Sequence, residues 1–363
     1  MVTISLCMIV KNEDQVLARC LNSVKELVDE IIIIDTGSTD NTKEIAKEFT
    51  EKVFDFNWID NFSSARNYSF SKATMDYILW LDADDIIIPE EQIKFKFLKE
   101  NLNPSVDVVM MKYNVGFDEN DNITLSYFRE RLVKRINSYC WKEPVHEFLE
   151  LWGNINNADV CITHKKEKAS EPGRNIKIYE NILSSGNDLS SRGMYYYARE
   201  LSSYGKYDKA IEYFNKFLDN KQGWVEDNIG ACYNLSLCYN NINDKKNVLR
   251  SLLRSFEYEI PRAEICCELG YYYLNLQDYN KAIFWYKLAT NLEKPIDNWG
   301  FLLHDCWGYL PNIQLCVCYD KIGNINEAIK HNDIAGKYKP NSTAVEYNKN
   351  YFKGITNKAQ SKK

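Results

Sequence analysis

The sequence predicts an α/β domain built on a mostly parallel, Rossmann-like sheet over residues 1–170, followed by an all-α helical-repeat domain over residues 175–363. Three observations support this. Short apolar runs alternate with helical patterns from Met1 to about Asn114, the signature of βαβ units. A pattern of small and aromatic residues recurs through the second half. Neither half holds a run of about 18 apolar residues, the length that would argue for a membrane span.

The first strand is expected at Ile4 to Val10, the second at Glu30 to Asp35, the third at Lys52 to Phe56 and the fourth at Tyr77 to Asp82. Helices are expected between them at about Asp14 to Leu27, Thr39 to Phe49 and Ser63 to Ala73, with a further helix beginning near Pro89. Val106 to Val115 and Leu125 to Ile136 alternate as antiparallel strands do, and Ala158 to His164 reads as another strand. The basic stretch Lys165 to Arg174, with Pro172 and Gly173, reads as a linker.

From Asn175 onward Gly205, Tyr207, Ala210 and Phe214 keep the offsets of a tetratricopeptide-like helix-turn-helix. Gly270, Tyr273, Tyr279, Ala282, Tyr286 and Ala289 repeat them more fully. Gly323, Ala328, Ala335 and Pro340 belong to a third copy, and Ser236 to Leu252 is a weak one. Val248 and Ala282 are 34 residues apart, the usual repeat length, whereas Ala282 and Ala328 are 46 apart, so an insertion is expected around Asp297 to Asp305. Close packing of paired helices accounts for most of this pattern. The stacked helices also offer a concave face to a protein partner or acceptor.

Ligands of open α/β sheets bind outside the carboxyl ends of the strands. Three strands end there in polar residues: Val10-Lys11-Asn12-Glu13, Asp35, and Asp82-Ala83-Asp84-Asp85. Carboxylates separated by two along an extended segment share one side, so Asp82 and Asp84 are expected to face one divalent ion, with Mg²⁺ or Mn²⁺ suited to oxygen ligands. Alone, a DxD triplet equally describes a solvated strand end that caps the next helix.

Its context is more specific. Ser5 to Glu13, Ile34 to Asp40, Ser64-Ala65-Arg66-Asn67, Leu79 to Asp84 and Val145-His146-Glu147 occur in an order that resembles the family 2 inverting glycosyltransferases of GT-A type. Within that family the chain is similar to the lipopolysaccharide-core β-1,4-glucosyltransferase and bacteriocin S-glycosyltransferase subgroup, some of whose members carry helical repeats. The resemblance implies a nucleotide-sugar-binding domain using a UDP-sugar donor. Asp35 would contact the base, Asn12 and Glu13 would line the nucleotide pocket beside Val10, and Arg66 would approach the base or diphosphate. Asp82 would serve ribose and metal, and Asp84 the metal. His164 and Lys165 resemble a position after the acceptor-side strand from which the diphosphate is reached.

Inversion requires a base opposite the leaving group, and Glu147 is the candidate. His146 is expected to complete the metal shell or to position a phosphate, alongside Glu147 only if the backbone turns there, as Pro144 allows. A surface His beside a solvated Glu is the bland alternative. Arg129, Arg131 and Arg135 make one face of their strand basic; an edge protected by charge is favoured over a phosphate site.

The net charge of −6 argues against a sequence-independent nucleic-acid partner, and Lys358 to Lys363 reads as a solvated tail. The eleven cysteines form no CxxC pair and read as buried reduced thiols. No signal-peptide layout precedes Thr3-Ile4-Ser5-Leu6, so a cytoplasmic protein is expected. The function expected is metal-dependent transfer of glucose or N-acetylglucosamine to a peptide, protein or cell-surface glycan, with homodimerisation as an open possibility. The rivals are a nucleotidyltransferase, for which Val10 to Glu13 lack the glycines of a phosphate loop, and a repeat scaffold carrying a non-catalytic transferase domain.

Overall fold

A computed structural model describes residues 1–167 and 171–360; the middle of the basic linker and the last three residues of the Lys-rich tail lie outside the described residues. The chain forms two compact units, Met1–Val115 with Ser126–Glu200, and Gly116–Leu125 with Leu201–Lys363.

In the first unit the apolar runs become β1 (Ile4–Val10), β2 (Glu30–Asp35), β3 (Val53–Asp55) and β4 (Tyr77–Trp80). All four run parallel, in the order β3-β2-β1-β4. The β-branched run of β2 and the side chains of β1 are almost wholly buried, as strands covered on both faces must be. The first two helices between them are shorter at both ends than the pattern predicts. α1 is Leu17–Val24 and α2 is Thr42–Lys47; before α2, Asp40 Oδ1 accepts from Thr42 N (3.0 Å) and Thr42 Oγ1 (2.5 Å) and holds the preceding loop. α3 (Phe62–Lys72) is capped by Asn61, whose Oδ1 accepts from Ser64 N at 2.9 Å. β5 (Asp85–Ile86) precedes α4 (Pro89–Asn101), which opens on Pro89 with Glu90 and Glu91 in its first turn.

β6 (Val108–Phe117), β7 (Ile123–Lys134) and β10 (Ile155–His164) extend the sheet in the order β4-β7-β6-β10-β5. β7 is antiparallel to β4, and β10 is parallel to β6. The carboxyl ends of β1, β2, β4 and β10 therefore share one edge. β7 lies inside the sheet, between β4 and β6. The expected charge-protected edge is thus not found, and its arginines face packed rings. β8 (Trp141–Lys142) and β9 (Phe148–Leu149) form a separate ladder around the 143–147 turn. α5 (Arg174–Ser184) and α6 (Ser191–Ser203) follow, and as far as Glu200 they belong to this unit.

The second unit is helical: α7 (Tyr207–Asn220), α8 (Val225–Asn241), α9 (Lys245–Arg254), α10 (Ala263–Asn275), α11 (Tyr279–Asn291), α12 (Tyr309–Lys321), α13 (Ile325–Tyr338) and α14 (Thr343–Gln360). The turns before α9, α11 and α13 repeat one device. Asn243, Gln277 and Gly323 take positive φ, and the next residue, Asp244, Asp278 or Asn324, accepts from the backbone three residues on. A methyl group at Gly270 would lie 2.6 Å from Tyr286 Cε1, so glycine is what lets α10 and α11 close on each other. The expected insertion is the irregular chain between α11 and α12. All eleven cysteines are free and only Cys140 is exposed. No helix among the described residues is long and apolar enough to cross a membrane.

Candidate active site

The acidic strand end is a turn rather than an extended segment. Asp85 N donates to Asp82 O (3.0 Å) and Asp82 N to Asp85 Oδ2 (3.0 Å), so the carboxylates of Asp82 and Asp84 part instead of sharing one side. What tightens the turn is Asp85, fully buried, paired with Arg131 Nη1 at 3.0 Å and accepting from Tyr113 OH at 2.7 Å. Arg131 is itself fully buried between the Trp80 and Tyr113 rings, at 3.9 and 4.3 Å from their centroids. Its Nε and Nη2 have no hydrogen-bond acceptor, and the ring faces offset part of their desolvation. Arg131→Met strands a buried carboxylate, and is expected to destabilise the protein by about 3–5 kcal/mol in denaturant unfolding. Adding Asp85→Asn recovers most of that loss if the pair accounts for it.

Asp84 turns the other way, to His164. The pairing of Thr163 with Ile86 and of His164 with Asp85 carries that imidazole to the turn. His164 Nδ1 lies 3.3 Å from Asp84 Oδ1 and 3.5 Å from Asp85 Oδ1, and 2.9 Å from Tyr113 OH. Burial alone would lower its pKa, but the hydrogen bonds and charges of Asp84 and Asp85 outweigh this and raise it to about 9. Among the described residues, Asp84, Asp85 and His164 are the group whose oxygen and nitrogen atoms lie close enough together, within 4.8 Å, to hold one metal ion. With Asp85 committed to Arg131 and Tyr113, Asp84 and His164 are the two members that open to solvent. Once the imidazole gives up its proton to the incoming ion, their donor set, one carboxylate oxygen and one imidazole, suits Mn²⁺ or Mg²⁺ with water or phosphate oxygens completing the shell.

Asp82 turns to Arg66, whose guanidinium joins the two halves of the site. Arg66 Nη2 donates to Asp82 Oδ1 at 2.7 Å and Nε to Glu147 Oε1 at 2.6 Å. The guanidinium sits 4.9 Å from the centroid of both the Trp80 and the Trp141 ring. Burial opposes the charge on Asp82, but Arg66 and then Arg131 outweigh it and hold the carboxyl at about 2. Arg66 is correspondingly raised: burial works against it, and the charges of Asp82 and Glu147 prevail. Its helix is stitched to the turn that carries Glu147. Phe62 N donates to Pro144 O (2.8 Å), Ser63 Oγ to Glu143 O, and Asn67 exchanges hydrogen bonds with the backbone of Trp141 (2.8 and 3.1 Å).

The nucleotide-side residues lie at the ends of β1 and β2. Val10 O accepts from Thr36 N and Oγ1 (2.9 and 3.1 Å). Asn12 spends its Oδ1 on Thr39 N (2.7 Å), and Glu13 N donates to Thr42 Oγ1 (2.7 Å), so both shape the loop. Asp35 is different. Oδ1 accepts from Gly37 N and Ser38 N (both 3.0 Å), while Oδ2 is buried without a donor. A buried carboxylate oxygen left this way is costly unless a ligand satisfies it. Lys165 is exposed, with its backbone held by Asp84 O (2.9 Å) and Arg19 Nη2 (2.6 Å).

His146 is not in the metal group. The backbone does turn, with φ of 70° at Glu143 and 54° at His146, but the turn sends His146 away from Glu147, and Nε2 meets Glu200 Oε1 at 2.8 Å. Tyr113 and Glu200 carried no signal in the sequence: their partners come from distant elements.

Residues 5–160 match the family model described as Glycosyl transferase family 2, and residues 263–295, which span α10 and α11, match Tetratricopeptide repeat. The chain is similar to a TPR repeat-containing protein of Synechococcus elongatus, 52% identical over 151 residues, covering 41% of this chain and 36% of that protein. It is 29% identical over 287 residues to the SPbeta prophage-derived glycosyltransferase SunS of Bacillus subtilis, covering 74% of this chain and 65% of that one. An uncharacterized glycosyltransferase of Rickettsia typhi is 36% identical over 100 residues, covering 27% of this chain and 34% of its own length. The chain thus spans between about a third and two thirds of these relatives.

Proposed function

We propose, because residues 5–160 match the model of glycosyl transferase family 2, that the protein is a metal-dependent inverting glycosyltransferase. It would move glucose or N-acetylglucosamine from a UDP-sugar to a hydroxyl or thiol of a peptide, protein or cell-surface glycan. Catalysis would rest in the sheet unit, which runs on from residue 170 through α5 and α6 to Glu200, and partner binding in the helical repeats beyond it, in the cytoplasm. The observation that carries this reading is the paired arrangement Asp84–His164 and Asp82–Arg66–Glu147 at one sheet edge.

Each residue has a task that its geometry supports. Asp35 Oδ2, otherwise unsatisfied, accepts an N–H of the base; uracil offers one at its imide nitrogen. Asp84 and His164 hold the divalent ion, which supplies Lewis-acid stabilisation of the departing diphosphate when bound. Arg66 holds the carboxylates of Asp82 and Glu147 in place beside the sugar. As the anomeric C–O bond to the diphosphate breaks and the acceptor bond forms on the opposite face, a carboxylate oxygen of Glu147 takes the acceptor's proton.

A thermal-shift screen of UDP-, GDP- and dTDP-sugars with Mg²⁺ and Mn²⁺ tests the reading. A ligand at about 100 times its Kd stabilises the native state by about 2.7 kcal/mol, so a UDP-sugar with metal is expected to raise Tm by several degrees. Asp35→Asn keeps the contacts of Oδ1 and loses the free carboxylate oxygen; by calorimetry it should bind UDP roughly 10–100-fold more weakly, the range for a charged hydrogen bond. No shift with any nucleotide sugar would favour the non-catalytic scaffold. Release of pyrophosphate from UTP and a sugar 1-phosphate, rather than of UDP from a UDP-sugar, would identify a nucleotidyltransferase.

A further inference from the structure

We infer that Glu200, on α6, is a positioning residue for Glu147, so that the two helices after the sheet complete the catalytic site. This rests on Glu147 being the base. The turn that presents Glu147 contains two non-glycine residues in the left-handed region, Glu143 and His146; such backbone persists only when its surroundings over-determine it. At His146 three contacts do so. Nε2 lies 2.8 Å from Glu200 Oε1, the ring stacks on Tyr196 at 4.4 Å and 20°, and the carbonyl accepts from Arg192 Nε at 3.1 Å. That carbonyl belongs to the peptide bond entering Glu147, so its plane is fixed from α6.

Glu200 is in turn fixed by α5: Asn175 Nδ2 donates to the same Oε1 at 2.7 Å. A carboxylate only accepts, so Nε2 of His146 carries its proton and the tautomer is set. Burial opposes the charge of Glu200, but the hydrogen bonds from His146 and Asn175 prevail and lower its pKa. From the opposite side Arg66 Nε holds the Glu147 carboxylate. The base is thus gripped at its carboxylate by the sheet unit's α3 and at its peptide plane by α6. The arrangement follows the general rule by which a reacting group is oriented through hydrogen bonds of its supports.

The test uses the full chain, with UDP-glucose and Mn²⁺ and water as acceptor. Glu200→Ala should lower kcat for UDP release about 10–100-fold, the usual cost of losing an outer orienting partner, with KM for UDP-glucose and calorimetric Kd for UDP within twofold. Glu200→Gln, whose amide oxygen still accepts from both donors, should recover most of that loss. His146→Asn tolerates the left-handed backbone but is too short to reach Glu200, and should reproduce Glu200→Ala; the double variant should be no worse than either single change. This second variant also serves if Glu200→Ala does not fold. A wild-type rate in Glu200→Ala, parallel loss of UDP binding, or additive single effects overturns the proposal. Glu147→Gln measured alongside separates the two layers. If it is impaired while Glu200→Ala is not, only the positioning role falls; if it too releases UDP at the wild-type rate, the base assignment falls with it.

Discussion

Asp84→Ala lowers metal-dependent release of UDP from UDP-glucose by roughly 10²–10³-fold, the scale for removing one preorganised contact to developing charge, while Tm hardly moves. The second half follows from where the turn gets its strength. Asp84 is partly exposed and its side chain meets His164 at 3.3 Å, whereas the turn itself is tied by the buried Asp85 through Asp82 N, Arg131 and Tyr113. Removing Asp84 therefore leaves the scaffold and takes away one of the two solvent-facing metal donors. Calorimetric titration with Mn²⁺ should show weakened binding, and unchanged turnover in this variant would sink the metal assignment. His164→Ala should fall in the same direction, since both donors face one ion.

Glu147→Gln severely slows transfer and keeps donor binding. General-base catalysis contributes roughly 10²–10⁴-fold, and loss of that size in kcat is expected. Glutamine is chosen over alanine because its amide oxygen can still accept from Arg66 Nε, which lies 2.6 Å from Glu147 Oε1. Alanine would leave a buried guanidinium half-paired and confound catalysis with stability. UDP affinity by calorimetry should remain within a few-fold. If binding is lost together with turnover, Glu147 acts on the donor, and the base must be sought elsewhere.

The sheet edge was largely legible in the sequence because parallel strands buried on both faces announce themselves as apolar runs, and whatever polar residue ends each run falls at the ligand edge. β1 and β2 appear at the bounds the pattern predicts, and the helical hairpin of α10 and α11 around Ala282 is the one that the repeat model matches. What was hidden depends on long-range pairing. His164 meets Asp84 only because β10 returns beside β5; the sequence placed His164 near the diphosphate and gave the metal to His146, next to Glu147. The alternating arginines of β7 read as a solvated edge, since nothing local reveals that Trp80 and Tyr113 close over Arg131. Nor does any residue type forecast a left-handed glutamate and histidine within four positions.

α5 and the part of α6 up to Glu200 fold as part of the sheet's own compact unit, with Tyr179, Tyr195 and Tyr197 almost fully buried. On the ribosome this sets an order of events. A nascent chain that has released only the strands still lacks the helices that cover the 143–147 turn. Closure waits until residue 200 has left the exit tunnel, and a fragment ending at residue 170 is expected to remain in that unfinished state.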